Sequence, residues 1–122
     1  MERGIHESDW KLFRRLQPLA LDRFCQRVLA DVTRLAADRD TSNHERYLAV
    51  FKLLQRRDAE LADAFNHPRR STALIQLARI RFQELLSEEE FARFSPEARA
   101  AVQSLLEIWQ AEPPAAADRP RD

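Results

Sequence analysis

Apolar residues recur at helical spacing along most of the chain, and polar or proline-bearing clusters punctuate them. Trp10, Phe13 and Leu16 share one side of a short helix that should open at Ser8, carry Asp9 in its first turn and end at Gln17. Pro18 suits the first turn of a second helix, whose Leu21, Phe24, Cys25, Val28, Val32 and Leu35 form a stripe as far as about Asp38. Arg39 to Thr41 read as a turn, and Ser42 with Glu45 makes a capping box for a third helix reaching about Phe65. Asn66, His67 and Pro68 then break the pattern, because Asn tolerates the left-handed C-cap conformation and Pro cannot continue a helix. A fourth helix should follow at once, with Leu74, Ile75, Leu77, Ala78, Phe82 and Leu85 on its apolar face. Ser87 and Glu90 cap a short helix holding Phe91 and Phe94, and Ser95 with Pro96 starts a last helix that buries Val102, Leu105 and Trp109.

Connections this short pack consecutive long helices antiparallel, so the pattern predicts an all-α, single-domain bundle of four main helices and two short ones over residues 1–110. Residues 111–122 are rich in Pro and Ala and hold no large apolar side chain, which predicts a disordered tail. The third helix should be central, because Leu48, Val50 and Leu53 lie outside its main stripe. Neither solenoid repeats nor sustained heptads are visible.

Composition agrees with an all-helical chain. Of 122 residues 44% are hydrophobic and 33% charged, and one Gly leaves almost no material for hairpin turns or phosphate-cradling loops. Twenty basic side chains balance twenty acidic ones, so no net field gathers nucleic acid or an anionic membrane around the whole molecule. A single Cys25 forms no intramolecular disulfide, and no export signal or membrane-length apolar run is present, so a cytoplasmic setting is expected.

One position departs from the pattern. Tyr47, Phe51, Leu54, Leu61, Ala62 and Phe65 recur at the helical period, and Asp58 projects within the same stripe. A carboxylate there needs a partner or a task, and Arg81 on the fourth helix is the first candidate partner, with Arg70, Trp10 and Tyr47 as alternatives. The competing reading is a polar ligand pocket around Asp58, Arg81 and Arg70. His6, His44 and His67 do not fall at metal-binding spacing, and no catalytic constellation is recognisable, so neither a catalytic residue, a metal nor a cofactor is expected. Arg56, Arg57, Arg69 and Arg70 form a candidate phosphate edge, opposed by the acids Glu88 to Glu90 a short way on.

The segments GIHESDW, ALDRFCQRVL, HERYLAVFKLLQRRD, RRSTALIQLARI and EEFARFSPE resemble a family of small uncharacterised bacterial proteins, from Gly4 to about Ile108. The resemblance implies a bacterial, soluble, helical protein and carries no activity onto any residue.

The function expected from these observations is a non-enzymatic protein interaction module, acting on a protein partner or by self-association. Its candidate surface is Trp10, Phe13, Leu53, Phe91 and Phe94, which lie on short or peripheral elements. A nucleic-acid-associated protein using the Arg edge, or a small-ligand bundle around Asp58, is the alternative.

Overall fold

The computed structural model describes residues 5–111. Among these residues the chain is all-α, with α1 (Glu7–Ala36), α2 (Asn43–Phe65), α3 (Ala73–Phe82), α4 (Glu88–Phe91) and α5 (Pro96–Ala111). The expected tail begins within α5 at Ala111, and its remainder lies outside the described residues.

α1 replaces the two helices expected before Asp38. Pro18 sits exposed inside it, where its ring removes one backbone donor and costs about 3 kcal/mol. The helix nevertheless continues, because Leu12, Phe13, Leu16, Ala20, Phe24 and Val28 form one buried stripe across the proline without a change of phase. Burying side chains of this kind contributes about 1.5 to 3 kcal/mol each, which outweighs one lost hydrogen bond. The helix opens at Glu7, after an extended His6.

α1 and α2 run antiparallel. Gln17 Nε2 donates to the Phe65 carbonyl near one end of the pair, and Arg46 donates to the Ala36 carbonyl at the other. The capping box predicted for α2 is present, with Ser42 accepting from the Glu45 N–H and Glu45 accepting from the Ser42 N–H. The same reciprocal pair, Ser87 and Glu90, opens α4.

α1 is the central helix, whereas α2 buries little beyond Leu53, Ala64 and Phe65. The main core gathers Phe13 and Phe24 from α1 with Leu77, Ile80, Leu85, Phe94 and Val102 from the C-terminal half. Its centre therefore lies where α3 and α5 meet the first two thirds of α1, and the far end of the α1/α2 hairpin extends past it.

α3 starts later than expected. Arg69 to Thr72 form a turn first, and the helix then buries Ala73, Gln76, Leu77, Ala78 and Ile80 while Ile75 and Phe82 face outward. Leu85 is buried beyond the helix end, in a turn that needs a left-handed residue. With no glycine there, Glu84 takes φ 57°, and the Glu84 and Leu85 N–H groups close back on the Arg81 and Ile80 carbonyls. Arg27 donates to the Gln83 and Glu84 carbonyls at 2.6 Å each, which stabilises this end. After α2 the left-handed residue is His67 with φ 51°, one position beyond the expected Asn66, which is extended. Arginine side chains thus satisfy helix-end carbonyls that glycine-based caps satisfy in other chains.

Candidate functional site

The stripe that includes Asp58 is exposed at Tyr47, Phe51, Leu54 and Asp58 and turns inward only at Phe65. Leu53, Ala64 and Phe65 take the inward side of α2, and this rotates Tyr47, Phe51, Leu54 and Asp58 outward. Asp58 is exposed and has no ion-pair or hydrogen-bond partner among the described residues. The expected pairing with Arg81 is overturned, because that guanidinium donates to the Leu86 carbonyl and to Glu88 and lies 4.4 Å from the Phe91 ring centroid. Arg70 is also occupied elsewhere, by Glu7 at 2.5 Å and by the Trp10 ring. Asp58, Arg81 and Arg70 therefore do not form one site.

The buried carboxylate is Asp9, only 3% exposed. It lies on the same stripe as Leu12, Phe13 and Leu16, so helical phase carries it into the core. Its Oδ1 accepts the Ser95 N–H at 2.8 Å and its Oδ2 accepts the Ser95 hydroxyl at 2.5 Å, across 86 residues of sequence. Ser95 Oγ in turn accepts the Ala98 N–H at 3.1 Å, so the carboxylate orients the N-cap of α5. This arrangement is structural: each oxygen is already committed to one residue that opens a helix.

A second tie joins α1 to the C-terminal half. Arg23 grips Glu90 through two hydrogen bonds of 2.7 and 2.9 Å and donates to the Leu85 carbonyl at 2.8 Å. The Arg23 guanidinium, with help from the Ser87 N–H, holds the Glu90 carboxyl down at about 2, and Glu90 raises the arginine above its usual value.

The interaction surface expected from Trp10, Phe13, Leu53, Phe91 and Phe94 is not there. Phe13, Phe91 and Phe94 are buried in the core, Leu53 is buried on the inward side of α2 and Trp10 is half-buried against the core. The candidate phosphate edge is also divided. Arg57 is half-buried over the Phe24 ring and paired with Glu60, while Arg70 stands over Trp10. Fourteen residues of α1 separate those two rings, which is about 20 Å of helix. Arg56 and Arg69 are exposed, and among the described residues the four arginines do not form one continuous cationic edge. Among the described residues no group of His, Cys, Asp and Glu gathers to hold a metal, and no helix is long and apolar enough to cross a membrane.

What the fold leaves open is a trough along the α1/α2 hairpin. One part, about 580 Å³, is lined by Cys25, Val28, Leu29, Phe51, Leu54 and Leu61, with Asp58 and Arg57 at its edge. It continues into a second part of about 400 Å³ between Val32, Ala36, Tyr47 and Val50, and Phe51 and Leu54 line both. Leu29, Tyr47, Phe51 and Leu54 are 63, 65, 49 and 45% exposed, in a contiguous patch rather than scattered singly. Periodicity marks Tyr47, Phe51 and Leu54 as one apolar stripe but not Leu29, and only the packing of α2 against α1 shows that the four remain uncovered together.

Comparison with protein-family models, with curated proteins and with solved structures returns no match.

Proposed function

We propose that this chain is a non-enzymatic helical interaction module of the bacterial cytoplasm, docking protein through the apolar trough of its α1/α2 hairpin. The observation that carries the reading is the contiguous exposure of Leu29, Tyr47, Phe51 and Leu54. Side chains of this size, about half exposed, present on the order of 500 Å² of apolar surface, the upper range for a patch on a free monomer. The trough runs along two helices and is open on one side, which suits an apolar helix face better than a small molecule needing enclosure. An uncharged centre is also the compositional mark of protein interfaces, and in a chain that is 33% charged the trough is lined mostly by apolar side chains, with Arg46, Arg57 and Asp58 as its charged residues.

The test is the size of the native complex in extracts of the producing cell, by gel filtration, for the wild-type chain and for Phe51→Glu. The proposal expects the wild-type chain to elute in a complex and the variant, with an unchanged circular dichroism spectrum, to elute at monomer size. Identical monomeric elution of both chains overturns it.

A further inference from the structure

We infer that the occupant of the α1/α2 trough is a second copy of this chain, packed about a two-fold axis near Leu54 to make a four-helix arrangement from two hairpins. The inference rests on the docking reading above and specifies its partner.

The residues of this sequence outside the described structure do not suit the trough. Residues 1–4 and 112–122 are the only segments outside the described structure, and beyond Met1 they hold no apolar side chain larger than Pro. A trough lined by Phe51, Leu54, Val28 and Leu29 is not filled by Pro, Ala, Asp and Arg.

The dimensions fit a second hairpin. From Tyr47 to Leu61 the seam covers fourteen helical steps, about 21 Å, and it is two helices wide. With half-buried Cys25, Val32, Val50 and Leu61 around the four exposed side chains, the face approaches the ~800 Å² per partner of a stable protein interface. Two copies related by a two-fold axis cover the whole face, since the Tyr47, Phe51 and Leu54 wall of each α2 packs into the α1/α2 trough of the other.

Charge points the same way. Arg46, held by the Ala36 carbonyl and Asn43, and Arg57, paired with Glu60, line the trough with Asp58, while Phe51 and Leu54 between them are uncharged, so the complement of that middle part is apolar. The chain's own face has that chemistry. Leu54 is midway between Tyr47 and Leu61, so an antiparallel crossing of the two α2 helices centred there displaces each Asp58 by four residues from the axis. The two carboxylates then stand about 12 Å apart on opposite sides of it, too far for strong repulsion in salt. Each is nonetheless partly desolvated, as a polar residue in a coiled-coil seam is, which fixes register at a cost in affinity.

Sedimentation equilibrium of the purified full chain from micromolar to high micromolar concentration tests this, with Phe51→Glu, Asp58→Asn and Gln55→Cys in a Cys25→Ala background. The expected result is a concentration-dependent dimer, weakened at least about 100-fold by Phe51→Glu and tightened about tenfold by Asp58→Asn. Gln55→Cys, beside the axis, should form a disulfide-linked dimer under mild oxidation. A monomer at every concentration overturns the second copy. In that case a Phe51→Glu-sensitive complex in cell extract leaves the docking reading standing with a foreign partner, and monomer there as well removes both. A dimer indifferent to Phe51→Glu overturns the inference by placing the contact on another face.

Discussion

Replacing Asp9 with Ala should be among the most damaging single substitutions outside the apolar core, and the reason can be worked out bond by bond. The carboxylate accepts from the Ser95 N–H at 2.8 Å and from the Ser95 hydroxyl at 2.5 Å, and it is 3% exposed. Hydrogen bonds to a charged acceptor contribute about 1.5 to 3 kcal/mol each. Half-buried Ser95 regains some hydration after the loss and keeps its bond from the Ala98 N–H, which places the expected cost at about 3 kcal/mol. That is a large share of the ~5 to 15 kcal/mol by which a small domain is stable. Asp9→Asn keeps an oxygen for the Ser95 N–H and should cost about half as much. Urea unfolding of Asp9→Ala, Ser95→Ala and the double variant measures the coupling, which should be at least about 1 kcal/mol because both residues serve one cap. A loss below about 0.5 kcal/mol for Asp9→Ala, or strict additivity in the cycle, refutes the reasoning.

Three further outcomes are expected. Glu90, held at about 2 against an ordinary 4.5, supplies stability that is complete above about pH 4.5 and is lost as pH falls through 2. Both partners are partly exposed, so the contribution is about 2 kcal/mol. Glu90→Gln should therefore flatten the acid limb of a stability–pH curve, and an unchanged limb contradicts the ion pair with Arg23. Glu84→Gly relieves a left-handed residue with φ 57° and should stabilise by about 1 kcal/mol in thermal or urea melts. Loss of stability there would show that the Glu84 side chain contributes more than its backbone costs. Asp58→Ala, measured at concentrations where the chain is monomeric, should change unfolding free energy by less than about 0.5 kcal/mol, and a loss near 3 kcal/mol would restore a buried partner.

Local chemistry made much of this fold legible. Ser42 with Glu45 and Ser87 with Glu90 are capping boxes whose partners lie three residues apart, so the starts of α2 and α4 are written within a single turn. Ser95 and Pro96 mark α5 in the same way. Pro18 misled for the opposite reason: its local preference is to begin a helix, and a stripe extending from Leu12 to Val28 against distant elements decides otherwise.

The candidate site was harder to read because periodicity reveals which residues share a face and not which face another element will cover. On α2 the stripe of Tyr47, Phe51, Leu54, Leu61, Ala62 and Phe65 yields only Phe65 to the buried side, which Leu53 and Ala64 share. The aspartate in the stripe, Asp58, therefore meets solvent while Asp9 is buried. Phase alone placed Asp9 beside Leu12, Phe13 and Leu16, and that signal was present in the sequence. The Arg23 grip on Glu90, 67 residues away, had no local counterpart. Nor did the inward turn of Phe91 and, just beyond α4, of Phe94, both of which enter the core cluster.

Tyr47 is the chain's one tyrosine, and it stands 65% exposed at the trough. Fluorotyrosine incorporation therefore gives a single fluorine resonance that reports on this face and no other. This resonance should move with protein concentration from a solvent-exposed to a buried shift, and lose its solvent-isotope sensitivity as it does so. Phe51→Glu should hold it at the exposed position. A resonance that stays exposed at every concentration, in purified protein and in cell extract alike, would contradict the claim that this face docks protein.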